Sequence, residues 1–208
     1  MNRLFPLPLR KQIENALKNE SYIIGSVLAN GLNTNDVENA ILYETIKESC
    51  AMLYFSVGFF PKAYEIFKEL KTDILSVADL FPNINLRGFS PKTDLRARCK
   101  FKKKILKGGE LESAINCFID YLSDLRMSAL NKNPEDYQFI VITNLLVKCY
   151  VINNPKIIIP IMSLPNTPRL VDEFEDIFKE HQLYEELAYF YLTRQLHHKG
   201  MLIIYSSN

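Results

Sequence analysis

Apolar residues recur every three or four positions along most of this chain, the spacing of amphipathic helices rather than of alternating strands. The pattern is densest between Glu48 and Phe67, where Ala51, Leu53, Tyr54, Phe55, Phe59, Ala63, Ile66 and Phe67 give two facing stripes. Gly58 stands between them, and glycine takes the left-handed conformation that ends a helix. The stretch therefore predicts an αα-hairpin, which cannot bury both its faces alone. Shifted by 137 residues, Ala188, Phe190, Tyr191, Leu192, Leu196, Lys199, Ile203 and Ile204 fall where Ala51, Leu53, Tyr54, Phe55, Phe59, Lys62, Ile66 and Phe67 stand. A fainter echo lies at Gly109, Ala114 and Phe118, at an offset of 51. The two offsets share no period, so irregular hairpin repeats are expected.

The remaining segments fit the same scheme. Ile13, Leu17, Tyr22, Ile24, Val27 and Leu28 predict a short first hairpin broken near Asn19–Ser21. Asn35 or Asp36 is placed to cap a helix whose apolar positions are Val37, Ile41, Leu42, Ile46, Cys50, Leu53 and Tyr54. Thr72 or Asp73 caps a short helix with Leu75, Val77, Ala78 and Leu80 inward and Pro82 as its stop. Residues 83–92 are loop-like, and Arg96–Lys107 combines Leu95, Phe101, Ile105 and Leu106 with a dense basic face. Glu110–Leu130 is a clear amphipathic helix, with Leu111, Ala114, Ile115, Phe118, Leu122, Leu125 and Met127 on one side. The helix beginning at Asp136 is so apolar that it should be central. Pro155 opens a short helix, Pro165 and Pro168 bracket a loop, and Leu170, Phe174, Ile177 and Phe178 precede the last hairpin, Leu183–Ile204. The tail Ser206-Ser207-Asn208 follows it directly, so a longer solenoid or a covered end is expected there.

Composition sharpens this into a fold class. Apolar residues make up 48%, and Tyr and Phe supply large side chains that helix pairs bury. The expectation is an all-α fold, an α-solenoid of irregular helical hairpins. Residues 1–82 are N-terminal hairpins, 83–109 a basic loop or linker insertion, and 110–208 C-terminal hairpins of the same solenoid.

The net charge of +1 points to no polyanionic partner, but its distribution is uneven. Residues 87–107 hold nine bases and one acid, between two mildly acidic flanks. Cys50, Cys99, Cys117 and Cys149 lie far apart and suit a reducing compartment. No apolar run approaches the ~18 residues of a membrane span, and Met1–Arg10 lacks a signal-peptide core. A cytoplasmic chain is expected.

Little supports an active site. There is no phosphate loop, nucleophile elbow or clustered ligand set, so neither metal nor cofactor is expected and no catalytic residue is assigned. His197 and His198 point to different sides of a helix, and His181 stands alone. Asp172, Glu173, Glu175 and Asp176 read first as a solvated face near a helix N-terminus and second as a docking strip for a basic partner. Arg96, Arg98, Lys100, Lys102, Lys103, Lys104 and Lys107 form the one charge feature that stands out. A solvated linker, a contact for anionic lipid or acidic protein, and a nucleic-acid contact are its three readings, in that order.

Three stretches also carry a family resemblance. Cys50–Phe55 through Phe59, Ala63 and Phe67, followed by Thr72-Asp73 and Leu80-Phe81-Pro82, is one. Thr143–Tyr150 with Asn153 and Ile159-Pro160 is the second, with a register shift at Val147. Tyr184–Leu187 through Tyr191 and Lys199 is the third, although Gly200 stands where the pattern usually has alanine, and Gln12-Ile13-Glu14 in the first helix also fits. Together they resemble the middle helical region of the vacuolar protein sorting 39 and TGF-beta-receptor-associated protein family. The resemblance implies a clathrin-heavy-chain-repeat-like solenoid and a non-enzymatic scaffold within HOPS or CORVET tethering complexes. It implies other tethering subunits and a Rab GTPase as partners, peripheral association with endosomal and vacuolar or lysosomal membranes, and no nucleic acid. Members are far longer, with a propeller-like domain and a C-terminal region. Rab nucleotide exchange, or an unrelated helical-repeat adaptor of RNA or protein complexes, remains the alternative.

Overall fold

The structure, a computed structural model, describes residues 7–82, 84–102, 105–130, 137–162 and 171–206. Among the described residues every regular element is a helix, and the helices pair as successive hairpins, an all-α fold of the solenoid-like kind. The chain divides into two compact units, one of residues 1–80 and 91–105, the other of residues 81–90 and 106–208.

In the first unit, α1 (Leu9–Lys18) and α2 (Tyr22–Ala29) form a hairpin against α3 (Val37–Val57), which turns at Gly58 into α4 (Phe60–Glu69). Gly58 has φ 89° and ψ 8°, the left-handed geometry expected of it. The turn closes through Phe59 N–H to Tyr54 O at 2.9 Å and Gly58 N–H to Phe55 O at 3.3 Å. Helix α3 is central: Ile46 through Met52 are all buried, Lys47, Glu48 and Ser49 among them. Lys47 is satisfied by Glu69 at 3.2 Å, and Ser49 Oγ donates to Thr45 O at 2.8 Å. Glu69 also accepts from the Tyr43 hydroxyl.

Two details depart from the sequence pattern. Phe59, expected inside, is 63% exposed, because the left-handed turn sets it at the N-cap of α4; Phe60 is buried instead, edge-on to Phe55 at 5.3 Å. Helix α2 presents its small residues to the core. Gly25, Ser26 and Ala29 are buried, whereas Ile24 and Val27 are exposed, as are Val37 and Ile41 at the start of α3. A Cβ on Gly25 would lie 2.6 Å from Ile46 Cδ1, so the close approach of α2 to α3 requires the missing side chain.

Short helix α5 (Ile74–Ala78) follows, with Leu75, Val77, Ala78 and Leu80 buried as expected, and α6 (Leu95–Cys99) packs on α3.

In the second unit, α7 (Gly108–Leu130) pairs with α8 (Tyr137–Asn153). Gly108 and Gly109 open α7 rather than turning a hairpin, so the faint third echo marks a helix start. Met127 on α7 is exposed, contrary to its place in the pattern. Helix α8 is buried along most of its length, and Phe81 stacks on Phe118 at 5.0 Å. A 3-10 turn (Pro155–Ile157), α9 (Ile158–Met162), α10 (Val171–Glu180), α11 (Tyr184–Thr193) and α12 (His197–Ser206) complete the chain. Val147 and Val151 share one core with Ile158, Met162, Phe174, Phe178, Leu187, Phe190 and Tyr191. The expected helix start at Asp136, the loop at Pro165 and Pro168 and the last residues Ser207 and Asn208 lie outside the described residues.

Candidate functional site

The basic segment is built from residue 91 onward by contacts to the first unit's core. Asp73 caps α5, its Oδ2 accepting from Ser76 N–H at 3.0 Å and Ser76 Oγ at 2.8 Å. The same oxygen accepts from the Lys92 backbone at 3.1 Å, and Ser76 Oγ accepts from the Thr93 backbone at 3.1 Å. One carboxylate thus starts α5 and fixes the incoming strap. Asp94 then caps α6 through Ala97 N–H at 3.0 Å, and Leu95 and Cys99 turn inward and are buried.

The arginines of the segment are spent within the molecule. Arg96 pairs with Asp79 at 3.3 Å. Arg98 lies 3.1 Å from Glu48 and 3.9 Å from Glu44. Burial raises the pKa of Glu48, opposed by Arg98 and reinforced by Glu44. Arg87, upstream in the second unit, pairs with Asp176 at 2.6 Å.

The lysines behave differently. Lys100 ends α6 in the left-handed region at φ 58°, and the closing bond from Phe101 N–H to Arg96 O turns Phe101 onto Tyr22, ring centroids 5.7 Å apart. Lys100, Lys102 and Lys107 are exposed, and Ile105 is 66% exposed. Lys103 and Lys104 lie outside the described residues. Among the segment's described bases in the first unit, the arginines are therefore paired and the lysines exposed.

Their acidic partners, Asp79, Glu44 and Glu48, carried no local signal, standing 17, 54 and 50 residues from the arginines they meet. Asp73 was visible as a cap, but its grip on Lys92 was not.

In the acidic run, Glu175 pairs with Lys179 at 2.6 Å and Lys199 at 3.0 Å, and Asp176 with Arg87. The side chains of Asp172 and Glu173 lie outside the description. All four cysteines are free thiols, and burial pushes each upward, Cys99 to about 11, so none is a ready thiolate at neutral pH. His181, His197 and His198 are exposed. Among the described residues no group of metal-ligating side chains converges and no helix is long and apolar enough to cross a membrane. A cleft among Met52, Phe55, Ser56, Leu80, Arg96, Phe101 and Lys102 holds about 10 Å³, room for about one water. What this geometry offers is surface, shaped by packed hairpins and one charged strap.

Comparison with known proteins agrees with the resemblance. The chain is 27% identical over 97% of its length to the human "Vam6/Vps39-like protein", of which it covers 25%. It matches the mouse protein of the same name to the same extent. It is 23% identical over 93% of its length to the Caenorhabditis elegans "Vacuolar protein sorting-associated protein 39 homolog", covering 22% of that protein. Residues 141–206 match the family described as vacuolar sorting protein 39 domain 1. That span contains Thr143–Tyr150 and Tyr184–Lys199, two of the three stretches that carry the resemblance. No solved structure matches. The chain spans about a quarter of the length of these relatives, and across that span it is similar to vacuolar sorting protein 39 proteins.

Proposed function

We propose that this chain is a non-catalytic scaffold segment of a membrane-tethering subunit acting in endosome-to-vacuole or endosome-to-lysosome transport. The observation that carries the reading is the near end-to-end alignment with Vam6/Vps39-like proteins, 97% of the chain. The architecture supports it: within each unit, hairpins with aromatic cores present packed helical surfaces, and no bond need be made or broken. Its proposed partners are other subunits of a HOPS- or CORVET-type complex and, through that assembly, a Rab GTPase. Its proposed location is the cytoplasmic side of endosomal and vacuolar or lysosomal membranes.

Affinity purification of the tagged protein from its own cells tests this. Recovery of tethering-complex subunits is expected; their absence, with no endosomal Rab recovered, rejects the reading.

A further inference from the structure

Among the described residues, the cations of residues 87–107 sort by type. Arg87, Arg96 and Arg98 each reach a carboxylate of their own unit. This use suits a planar guanidinium, which fits a fixed carboxylate. Lys100 and Lys102 are exposed and make no ion pair among the described residues, and Ile105, three residues beyond Lys102, projects a large aliphatic side chain into solvent. The chain leading to Lys100 and Lys102 is anchored, because Asp73 holds the Lys92 backbone, α6 is held by Asp79 and Glu48, and Phe101 packs on Tyr22.

We propose that Lys100, Lys102 and Ile105 form a contact for an anionic lipid surface, with Arg96 and Arg98 serving only to hold the strap in place. Lysine is a compact, hydrated point charge suited to a diffuse anionic surface, and an exposed aliphatic residue among lysines enters the headgroup boundary. Phosphates of nucleic acid would use the charge and leave Ile105 without a role. The inference rests on the tethering reading for why a membrane lies nearby.

Flotation of the whole chain with phosphatidylserine-containing or pure phosphatidylcholine vesicles tests it. Binding is expected only to the anionic vesicles, falling as salt rises. The variant Lys100→Asn/Lys102→Gln should lower partitioning about thirtyfold, on the order of 1 kcal/mol for each lysine. Ile105→Ser should lower it several-fold with the salt dependence kept. Asparagine tolerates the left-handed position, so the double variant should keep the wild-type circular dichroism. Equal flotation with neutral vesicles, wild-type flotation by the double variant, or lysine-dependent capture of RNA without flotation would overturn the proposal. The flotation uses no tethering subunit, so its failure leaves the affinity-purification result standing, and the converse holds.

Discussion

Two hairpins at an offset of 137 residues, α3–α4 and α11–α12, share a turn and an inner seam but not an outer face. The closing bond from Phe59 N–H to Tyr54 O has its counterpart from Leu196 N–H to Tyr191 O, both 2.9 Å. The left-handed residue is Gly58 in one and Gln195, φ 60°, in the other. Small residues line both seams: Ala51 and Ala63 in the first, Ala188 and Gly200 in the second, all buried. Beyond the seam they diverge. Phe55, Phe60 and Tyr64 are buried, whereas their counterparts Leu192, His197 and Met201 are exposed. Conversely Phe190 and Tyr191 are buried where Leu53 and Tyr54 are half-buried. Beside Phe55 lie Leu80, Arg96 and Phe101, carried there by α5 and the strap. The hairpin is thus a constant unit, and what the chain lays against it decides which face becomes core.

The largest test exchanges the two faces. Phe55→Ala should cost about 3–5 kcal/mol, since a buried ring is lost from contact with Phe60 and Tyr64. Leu192→Ala, at the matching position but 43% exposed, should cost less than about 1 kcal/mol. Phe190→Ala and Leu53→Ala should rank the other way. Urea denaturation of the four variants measures this; equal costs at Phe55 and Leu192 would abolish the distinction.

That divergence also explains what the sequence revealed. Helix periods, the Gly58 turn and the Asp73 cap follow from local chemistry and are legible in order. Five other left-handed helix ends, at Glu20, Lys71, Lys100, Gln182 and Gln195, were not, because polar residues occupy positions where glycine is the usual signal. Ile24, Val27 and Phe59 have the right period and the wrong side, because periodicity finds a stripe without naming what covers it. In the basic segment the composition was plain. The division between paired arginines and exposed lysines was hidden, since the pairing carboxylates arrive from distant helices.

A second test uses pH, because the two units place a key carboxylate in opposite situations. Hydrogen bonds from Lys179, and then from Lys199 and Tyr191, hold Glu175 down at about 2. Its unfolded value is about 4.3, so its contribution is full above that and is lost as pH falls toward 2. Glu48 is raised by burial, so its contribution is full below about 4.3 and is lost as pH rises through its folded value. Glu175→Gln should cost about 1–2 kcal/mol at neutral pH, discounted for its half-exposed lysines, and should remove the acid-side loss. Glu48→Gln should instead flatten the decline toward neutral pH. Denaturation across pH reads both slopes, and a common sign would contradict the assignment.

The turns supply a smaller pair of effects with opposite signs. Gly58→Ala puts a Cβ into the left-handed region at φ 89° and should cost about 1 kcal/mol. Gln195→Gly relieves that strain at the equivalent turn, offset by the freer unfolded chain, for a gain on the order of 0.5 kcal/mol. Thermal midpoints of the two variants should move in opposite directions; a shared direction would mean the two turns are not equivalent.

The smallest test lies in the seam itself. Gly200 occupies the position of Ala63, which is wholly buried, and it stands inside α12, where glycine is a poor helix former. A Cβ built there would meet Ala188 O and Tyr191 Cβ at 3.5 Å and Leu192 Cδ2 at 3.6 Å, ordinary contact distances. Gly200→Ala should therefore stabilise the second unit by about 0.5–1 kcal/mol, the helix propensity gained with no clash to offset it. The reciprocal Ala63→Gly should destabilise the first unit by at least as much, because it also opens a small void in a closed core. If Gly200→Ala lowered stability instead, the second seam would be narrower than the first, and the hairpins would share a turn without sharing a packing distance.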